Sequence, residues 1–489
     1  MNPSNGSYVV IAPPEFISIK DVRRRFHSAI DFALESYRKQ LSSCMVGFEE
    51  VAMNTKKWEK SQPQPKASLI RPIFMELRRN ISQIPALWEA NEILVKNLCS
   101  MEGFLEHIEL FHHHQVQDMK DFSSSHCSNA IVLKAETDST RINTENGDDI
   151  NKVTTGNGKK EYSYDQIDQI LYHLVRDWSS FPSATVGRNS LYRDGLLKAM
   201  NEFSPLSMNN GNENGWKGAN VLVPGAALGR LVVEIAAKGV RTVEANELSY
   251  VMIAAFSGLL NRFTSLASSS STEFASSFYP YISLPMIDEW SFASRLDAHN
   301  FPGLDAEACI NSLVEQQHES TIKLQVGSFV DIYSKAAYQN KYDAVVTSFF
   351  IDTGADILQY ISIISQCLKV GGLWLNAGPL HYHGNETTIP LSYDVLKNIV
   401  IAGGFELLHE EHILSSYSGE EYRSMKPEVY NVPLTVFRLV DEEKRFESCT
   451  SKFGDFHEDY NAKSIEEGEE DDIYPSVNFV LSKANIGRR

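Results

Sequence analysis

Short β-rich segments alternate with helical segments from Ala219 onward, and this alternation constrains the fold more than any other feature of the sequence. The segments NVLVPG, RTVEANE, YDAVVTSFF and LWLNAGP are typical of strands, and amphipathic segments of helical length separate them. A strand that returns through a helix can pair in parallel with the strand before it. The sequence therefore predicts an α/β fold with a doubly wound, mainly parallel sheet, which binds its ligands beyond the carboxyl ends of the strands.

The first 122 residues predict helices instead. In SIKDVRRRFHSAIDFALESYRKQL the apolar residues recur at steps of three and four, and ASLIRPIFMELRRNISQI and LWEANEILVKNLCSMEGFLEHIELF repeat this period. In the first segment these residues are Val22, Phe26, Ile30, Leu34 and Tyr37. Pro63 and Pro65 separate the first segment from the second. A helix with one apolar stripe must bury it, so we expect this N-terminal helical region, 1–122, to pack on another surface.

Composition divides the rest of the chain into three parts. Residues 123–160 are polar and rich in Gly, Asn, Ser and Thr, which predicts a disordered linker or insertion. Helical spacing resumes after this segment, and the folded α/β domain is predicted to span 161–440. The remaining residues, 441–489, are predicted to form an acidic tail, because 13 acidic and 4 basic residues lie between Asp441 and Asp472.

Charge and cysteine content argue against several classes of protein. The formal net charge of −18 disfavours a general nucleic-acid-binding surface. No apolar run is long enough to cross a membrane, and the N-terminus lacks the basic start and apolar core of a signal peptide, so we expect neither nucleic acid nor membrane as a partner. The six cysteines are far apart, with no CxxC pair and no metal-ligand spacing, which predicts a reduced protein of the cytosol or the nucleus without a metal site.

The turn after the first predicted strand is a candidate cofactor site. In VLVPGAALGRL, Gly225 and Gly229 allow a tight turn and a close approach of the backbone to a ligand at the start of a helix. Glu247 ends the second predicted strand, where its carboxylate can accept hydrogen bonds from ribose hydroxyls. Such turns serve NAD, FAD and S-adenosyl-L-methionine alike, so an oxidoreductase remains an alternative at this point.

Two features favour a methyltransferase. The spacer between the glycine turn and the acidic residue is short, and LKVGGLWLNAGP resembles the turn before the fifth strand of class I methyltransferases. The alternative interpretation is a structural βαβ unit that binds no ligand.

Several motifs in fixed order resemble one family more specifically. They are PGAALGRL, NELSYVM, YPYISLP, GSFVDIY, SFFIDTG, GGLWLNAGPLHYH and LSYDVLKNIV. Together with the upstream LVRDWS, they resemble the carnosine N-methyltransferase (N2227-like) family across most of 161–440, and the N-terminal helices resemble it more loosely. The resemblance implies a seven-stranded, Rossmann-like methyltransferase sheet with an N-terminal helical domain, S-adenosyl-L-methionine as cofactor, and a homodimer.

The resemblance also implies which residues hold the cofactor. They are His173, Arg176, Gly225, Glu247, Ser328, Phe329 and Ser348. Several positions depart from the family pattern: Ala227 replaces a glycine, Ser328 an acid, Ser348 a cysteine, and His173 a common glutamine. Because a serine at 328 loses a charge-assisted hydrogen bond, we expect weaker cofactor binding rather than none.

Three residues are implied on the substrate side. Asp352 lies just beyond the fourth strand and His383 just beyond the fifth, and with Tyr430 they match the positions that hold a substrate imidazole in the family. Glu428 replaces a second aromatic residue of that group. A purely structural Asp352 is the less favoured interpretation, because a buried carboxylate needs a partner.

These observations lead to one main functional hypothesis and two alternatives. The main hypothesis is an S-adenosyl-L-methionine-dependent N-methyltransferase that acts on the imidazole of a small histidine-containing dipeptide, as in the conversion of carnosine to anserine. The first alternative is methylation of histidine in peptides or proteins. The second is a degenerate methyltransferase fold that serves as a binding or scaffold module, which the substitutions at Ala227 and Ser328 motivate.

Overall fold

The structure is a computed structural model that describes most of the predicted helical region and the α/β domain. Its described residues are 18–100, 166–204, 215–262, 276–284, 288–302, 320–382, 389–417, 423–426 and 428–440, with the backbone alone of 8–11, 108–109 and 263–268. They belong to one compact unit, residues 1–446. The predicted linker, 123–160, and the acidic tail, 441–489, lie outside the described residues.

A mainly parallel sheet forms the centre of this unit. The strands of the described chain are β1 (Tyr8–Ile11), β2 (Ile108–Glu109), β3 (Asn220–Pro224), β4 (Thr242–Glu247), β5 (Ser276–Phe278), β6 (His299–Phe301), β7 (Thr321–Val326), β8 (Tyr342–Ser348), β9 (Leu368–Ala377), β10 (Phe405–Ser416) and β11 (Val429–Leu439). The order in the main sheet is β10-β11-β9-β8-β3-β4-β7-β1-β2. Only β11 runs antiparallel to its two neighbours, β9 and β10.

Seven of these strands, from β10 to β7 in the sheet order, form the predicted Rossmann-like methyltransferase sheet. The N-terminal region adds two short parallel strands, β1 and β2, to the edge formed by β7. The sequence analysis predicted only helices in that region. A strand as short as YVVI has too few residues to show a period, although its β-branched residues favour pairing with an open edge.

Helices cover both faces of the sheet. They are α1 (Ile19–Ser61), α2 (Lys66–Leu98), α3 (Gln166–Trp178), α4 (Pro182–Leu191), α5 (Leu197–Glu202), α6 (Arg230–Ala236), α7 (Tyr250–Ser268), α8 (Phe329–Tyr333), α9 (Ile357–Cys367) and α10 (Tyr393–Ala402). A π-helical turn, Tyr192–Leu196, joins α4 to α5. None of the helices in the described part of the chain is long and apolar enough to span a membrane.

Strand β3 shows why the sheet is covered on both sides. Val221 and Val223 belong to one hydrophobic cluster, together with residues of α6 and α7, whereas Leu222 belongs to a second cluster with residues of α8, α9 and α10. Successive side chains of a strand point to opposite faces, so a strand buried on both faces is apolar throughout. The apolar run NVLVP therefore predicts the central position that β3 occupies.

The N-terminal helices form an antiparallel hairpin that packs on the α/β part. The five residues at apolar spacing in α1 are all buried, as predicted. The second predicted segment and the third as far as Leu98 are one helix, α2, which continues through Pro72 and Pro85, whereas Ile108–Glu109 near the end of the third segment is the strand β2. Predicting them as separate segments was wrong, because a proline costs a helix one hydrogen bond but a continuous buried stripe, including Ile81, Ile84 and Trp88, outweighs that loss.

Candidate active site

The glycine-rich turn between β3 and α6 requires two of its glycines. Gly225 and Gly229 have φ angles of +64° and +76°. A Cβ atom on Gly225 would lie 2.6 Å from the Phe350 ring, and one on Gly229 would lie 1.8 Å from the Phe256 ring. Ala227 also has a positive φ, +48°, which costs a residue with a side chain about 1–2 kcal/mol. The turn therefore includes an alanine in a conformation that favours glycine.

Glu247 is fastened to this turn by its carboxylate. Oε2 accepts a hydrogen bond from the Ala227 N–H at 3.1 Å, and Oε1 accepts one from the Ser249 N–H at 3.0 Å. Burial raises the pKa of the Glu247 carboxyl, and the backbone N–H groups oppose that shift. Each carboxylate oxygen has a second lone-pair site, so Glu247 can still accept hydrogen bonds from a ligand's hydroxyls.

Helix α3 brings the LVRDWS segment against the same turn. The Trp178 indole N–H donates to the Leu228 carbonyl at 3.0 Å, and the Arg230 guanidinium donates to the Asp177 carbonyl at 3.0 Å. Arg176 and Asp177 form a two-point ion pair, with Nε–Oδ1 at 2.7 Å and Nη2–Oδ2 at 2.9 Å. The side chains are 12% and 1% exposed, so this is a buried pair and not a solvated surface pair.

The Arg176 guanidinium supplies positive charge to the crevice at the carboxyl ends of the strands. Although burial opposes ionisation of Asp177, the adjacent guanidinium holds the pKa of that carboxyl below its ordinary value. Arg176 also acts electrostatically on Glu247, which is on the far side of the glycine turn. The two predicted cofactor residues therefore lie within electrostatic range of each other.

The three predicted cofactor residues from β7–α8 and β8 lie near the glycine turn, with different surroundings. Ser328 caps α8, since its hydroxyl accepts a hydrogen bond from the Asp331 N–H at 3.3 Å. The Phe329 ring is buried, and its centroid lies 5.2 Å from that of Phe350, which in turn contacts Gly225. Ser348 is the last residue of β8 and pairs with β9. Ser328 and Phe329 thus have structural roles in addition to any contact with a cofactor.

Asp352 is a buried carboxylate beyond the end of β8. Its Oδ2 atom accepts a hydrogen bond from the His381 N–H at 2.7 Å, which ties the segment after β8 to the segment after β9. Among the residues that the structure describes, no donor reaches Oδ1. His383 lies outside the described residues, so its predicted role stays a prediction.

Aromatic rings line the crevice beside Asp352. Phe349 has a φ of +50°, which is rare for a bulky residue and indicates local strain. Its ring centroid lies 5.6 Å from that of Tyr430 and 5.1 Å from that of Tyr417. Burial raises the pKa of the Tyr430 phenol, and the neighbouring acidic groups Glu428 and Asp352 add to that effect. Tyr430 is therefore protonated at neutral pH and can donate a hydrogen bond.

Sequence reasoning missed Phe349, Tyr417 and Asp177. Asp177 is adjacent to Arg176, but a neighbouring acid and base are common on helix surfaces and give no signal of burial. Phe349 directly follows β8, the position that the doubly wound fold reserves for ligands, and this position was the available signal. Tyr417 follows β10, a strand that the sequence analysis did not identify.

The comparison with protein families decides between a methyltransferase and the alternatives of an oxidoreductase or a structural βαβ unit. The sequence profile described as carnosine N-methyltransferase matches residues 155–441. This chain belongs to the carnosine N-methyltransferase family. The predicted family and the predicted fold are both confirmed.

Individual relatives agree with this assignment. The carnosine N-methyltransferase of Mus musculus is 32% identical over 292 residues, which cover 58% of this chain and 65% of the mouse protein. That of Schizosaccharomyces pombe is 27% identical over 296 residues, which cover 58% of this chain and 73% of the yeast protein. The match to the mouse protein thus spans slightly less than two thirds of its length.

Solved structures with a similar fold are more distant. One of them is a putative sarcosine dimethylglycine methyltransferase from Galdieria sulphuraria, with 13% identity and a TM-score of 0.31 over 56% of this chain and 97% of that chain.

Proposed function

We propose that this protein transfers a methyl group from S-adenosyl-L-methionine to an imidazole nitrogen of a small histidine-containing dipeptide, as in the conversion of carnosine to anserine. The observation that carries the proposal is the buried Asp352 carboxylate beside an aromatic crevice, on the same edge of the sheet as the Gly225 turn and Glu247. The family membership supports the same reaction.

The residues around the glycine turn fit the proposed cofactor. Gly225 has no side chain and a φ of +64°, so the backbone of the turn can approach a ligand closely. The Glu247 carboxylate offers acceptors for ribose hydroxyls, and Arg176 offers a cation for a carboxylate. When bound, S-adenosyl-L-methionine supplies a sulfonium methyl group that is already activated for transfer.

The role of Asp352 follows from the chemistry of imidazole. A neutral imidazole has one N–H and one nitrogen with a lone pair. If Asp352 accepts the N–H, the lone pair is fixed on the other nitrogen, and the carboxylate stabilises the positive charge that develops on the ring. Imidazole has a pKa of about 6.5 and is largely neutral at pH 7, so no strong base is needed before transfer.

The aromatic residues account for alignment and exclusion of water. Phe349, Tyr417 and Tyr430 surround the approach to Asp352 with flat apolar surfaces. Such surfaces hold a flat ring and strengthen the electrostatic effect of the carboxylate by displacing water.

The proposal is tested by binding and by substrate choice. Calorimetric titration of the full chain with S-adenosylhomocysteine should show one saturable site, and carnosine should gain one methyl group on its imidazole by mass spectrometry. The same assay is run with histidine-containing peptides and with sarcosine in place of carnosine. Preference for the peptides would support the peptide or protein methyltransferase instead, and the absence of S-adenosylhomocysteine binding would support the scaffold module.

A further inference from the structure

His173 stands at a predicted cofactor position, but protein groups engage both of its ring nitrogens. Nδ1 lies 2.7 Å from the Gln169 carbonyl oxygen, one turn earlier in α3. A carbonyl oxygen can only accept, so Nδ1 carries the proton. Nε2 lies 3.2 Å from the Tyr417 hydroxyl. In the neutral ring Nε2 has a lone pair, and therefore the Tyr417 O–H donates to it.

The neutral state of this histidine is also favoured by its surroundings. Burial lowers the pKa of His173 to about 4, and the positive charge of Arg176 acts in the same direction. Near pH 7 the ring therefore keeps the lone pair that the Tyr417 hydroxyl needs.

Tyr417 lies next to Arg176, a predicted cofactor residue, and next to Phe349, which is on the proposed substrate side. The Arg176 Cζ atom lies 5.0 Å from the centroid of its ring, and the Phe349 centroid lies 5.1 Å away in an edge-to-face arrangement. The negative charges of Glu247 and Asp352 both act on its phenol. Because β10 ends at Ser416, the sheet no longer holds Tyr417, and its hydroxyl donates a hydrogen bond to His173 Nε2 at 3.2 Å.

We infer that His173 is a positioning residue that fixes Tyr417 as a wall of the substrate crevice, and that it is not a ligand of the cofactor. This inference rests on the proposed imidazole methyl transfer, because Tyr417 is taken to contact the ring of the substrate. A direct contact between His173 and the cofactor would require the ring to give up at least one of its two hydrogen bonds.

The test compares the variants His173→Ala and Tyr417→Phe and the double variant. Each single variant should raise the KM for carnosine about 3–10-fold, the factor that corresponds to one ordinary hydrogen bond. The Kd for S-adenosylhomocysteine should change less than about twofold. The double variant should be no worse than either single variant, because both remove the same interaction.

Two further variants distinguish the positioning of Tyr417 by His173 from a general loss of structure around β10. His173→Gln should restore much of the lost affinity for carnosine, since its amide can both donate and accept a hydrogen bond. Tyr393→Phe is the matched control: it removes a hydroxyl of α10 that bonds Glu410 on β10 at 3.0 Å. It should leave the KM unchanged. An equal rise in KM in this control would show that loosening β10 is enough, and would overturn the inference.

A cofactor role for His173 would give a different pattern. His173→Ala would then weaken S-adenosylhomocysteine binding about 10-fold or more, and Tyr417→Phe would leave that binding unchanged. The effects of the two variants on the KM for carnosine would multiply in the double variant.

The inference can also fail or stand independently of the proposed function. Nitrogen-15 NMR of the histidine rings should show His173 as the Nδ1–H form, with an Nε2 resonance that shifts in Tyr417→Phe. If the wild-type protein methylates no imidazole, the proposed function fails. The NMR and S-adenosylhomocysteine results then still decide whether His173 holds Tyr417 or the cofactor.

Discussion

Two buried or half-buried carboxylates at one edge of the sheet differ in their partners, and these partners indicate different tasks. Both oxygens of Glu247 accept backbone hydrogen bonds, one from Ala227 in the glycine turn and one from Ser249 just after β4, so the carboxylate is fixed where a cofactor would bind. Asp352 accepts one backbone hydrogen bond through Oδ2. No donor from the described part of the chain bonds the other oxygen, which is the arrangement expected for an acceptor that acts during transfer.

Asp352→Asn should lower kcat/KM on carnosine by about 10²–10⁴, the range for losing one positioned electrostatic or acid–base group. The amide oxygen of Asn can keep the hydrogen bond from His381, but the amide NH₂ then meets the imidazole N–H as a second donor. Steady-state kinetics measure the loss. Binding of S-adenosylhomocysteine should change little, and near-normal turnover on every imidazole substrate would make Asp352 a structural acid.

Glu247 should give cofactor binding a pH dependence. Its pKa is raised by burial, so it takes up a proton at a higher pH than an ordinary glutamate. The carboxylate form is the one that accepts hydrogen bonds best, and the Kd for S-adenosylhomocysteine should therefore rise as the pH falls from about 7 through the raised pKa.

The matched variant for this titration is Glu247→Gln. It should bind about 10–100-fold more weakly at pH 7, as expected for lost hydrogen bonds to a charged group, and it should lack this part of the pH dependence. Burial lowers the pKa of His173 to about 4, so this ring contributes little to the pH dependence above that range. An unchanged slope in Glu247→Gln would assign the titration to another group.

The sequence predicted the polar residues of the candidate site better than the aromatic ones. Glu247 ends β4 and Asp352 lies four residues beyond the end of β8, and a charge at the end of a strand segment is conspicuous in the sequence. Phe349 and Tyr417 are apolar or amphipathic and do not differ in the sequence from core residues. Their placement depends on a left-handed φ at Phe349 and on the end of β10, and neither has a local sequence signal.

At the level of elements, the turn from β3 to α6 offers a direct test of packing. Gly229→Ala should lower the free energy of unfolding by about 2–5 kcal/mol, the sum of overpacking against Phe256 and a left-handed φ. Gly371→Ala is the control, because Gly371 has a similar φ, +81°, and open space around it. It should cost about 1–2 kcal/mol. Equal losses in denaturant titrations would show that packing against Phe256 is unimportant.

The elements themselves were predictable where a strand is buried on both faces. β3, β4, β8 and β9 are buried along most of their length and were identified. β10 carries charged residues along the exposed side of an edge strand, as in FELLHEEHILSS, and its alternation is too irregular to distinguish from a helix end. Its pairing with β11 includes a register shift near His409, which a period of two does not reveal.

At the scale of the whole molecule, the N-terminal hairpin supports the helix that carries His173 and Arg176. The Gln40 amide donates to Asp168 Oδ2 at 2.7 Å, at the start of α3, and the Ser283 hydroxyl donates to Oδ1 of the same carboxylate at 2.9 Å. The sequence predicted that the hairpin must pack on another surface, and these contacts show which surface it is. The partner could not be predicted, because a helical period identifies an apolar face but not its complement.

The hairpin also presents apolar side chains that the α/β part does not cover. Leu69 and Ile73, one turn apart on α2, are largely exposed, as are Phe32 and Val46 on α1. Exposed apolar residues at these spacings share a helix face. A patch of this kind marks an interaction surface more often than a solvated one. We therefore propose that a second copy of the chain packs on the hairpin, in a homodimer.

Replacing both Leu69 and Ile73 by Glu should convert this dimer into a monomer, because each dimer interface would bury uncompensated charges. Size-exclusion chromatography with light scattering measures the mass, and thermal unfolding at low protein concentration checks that the fold is intact. Leu414→Glu is the control, since Leu414 is equally exposed but lies on β10. A native protein that is monomeric at high micromolar concentration would exclude the dimer. A double variant that stays dimeric would place the interface elsewhere.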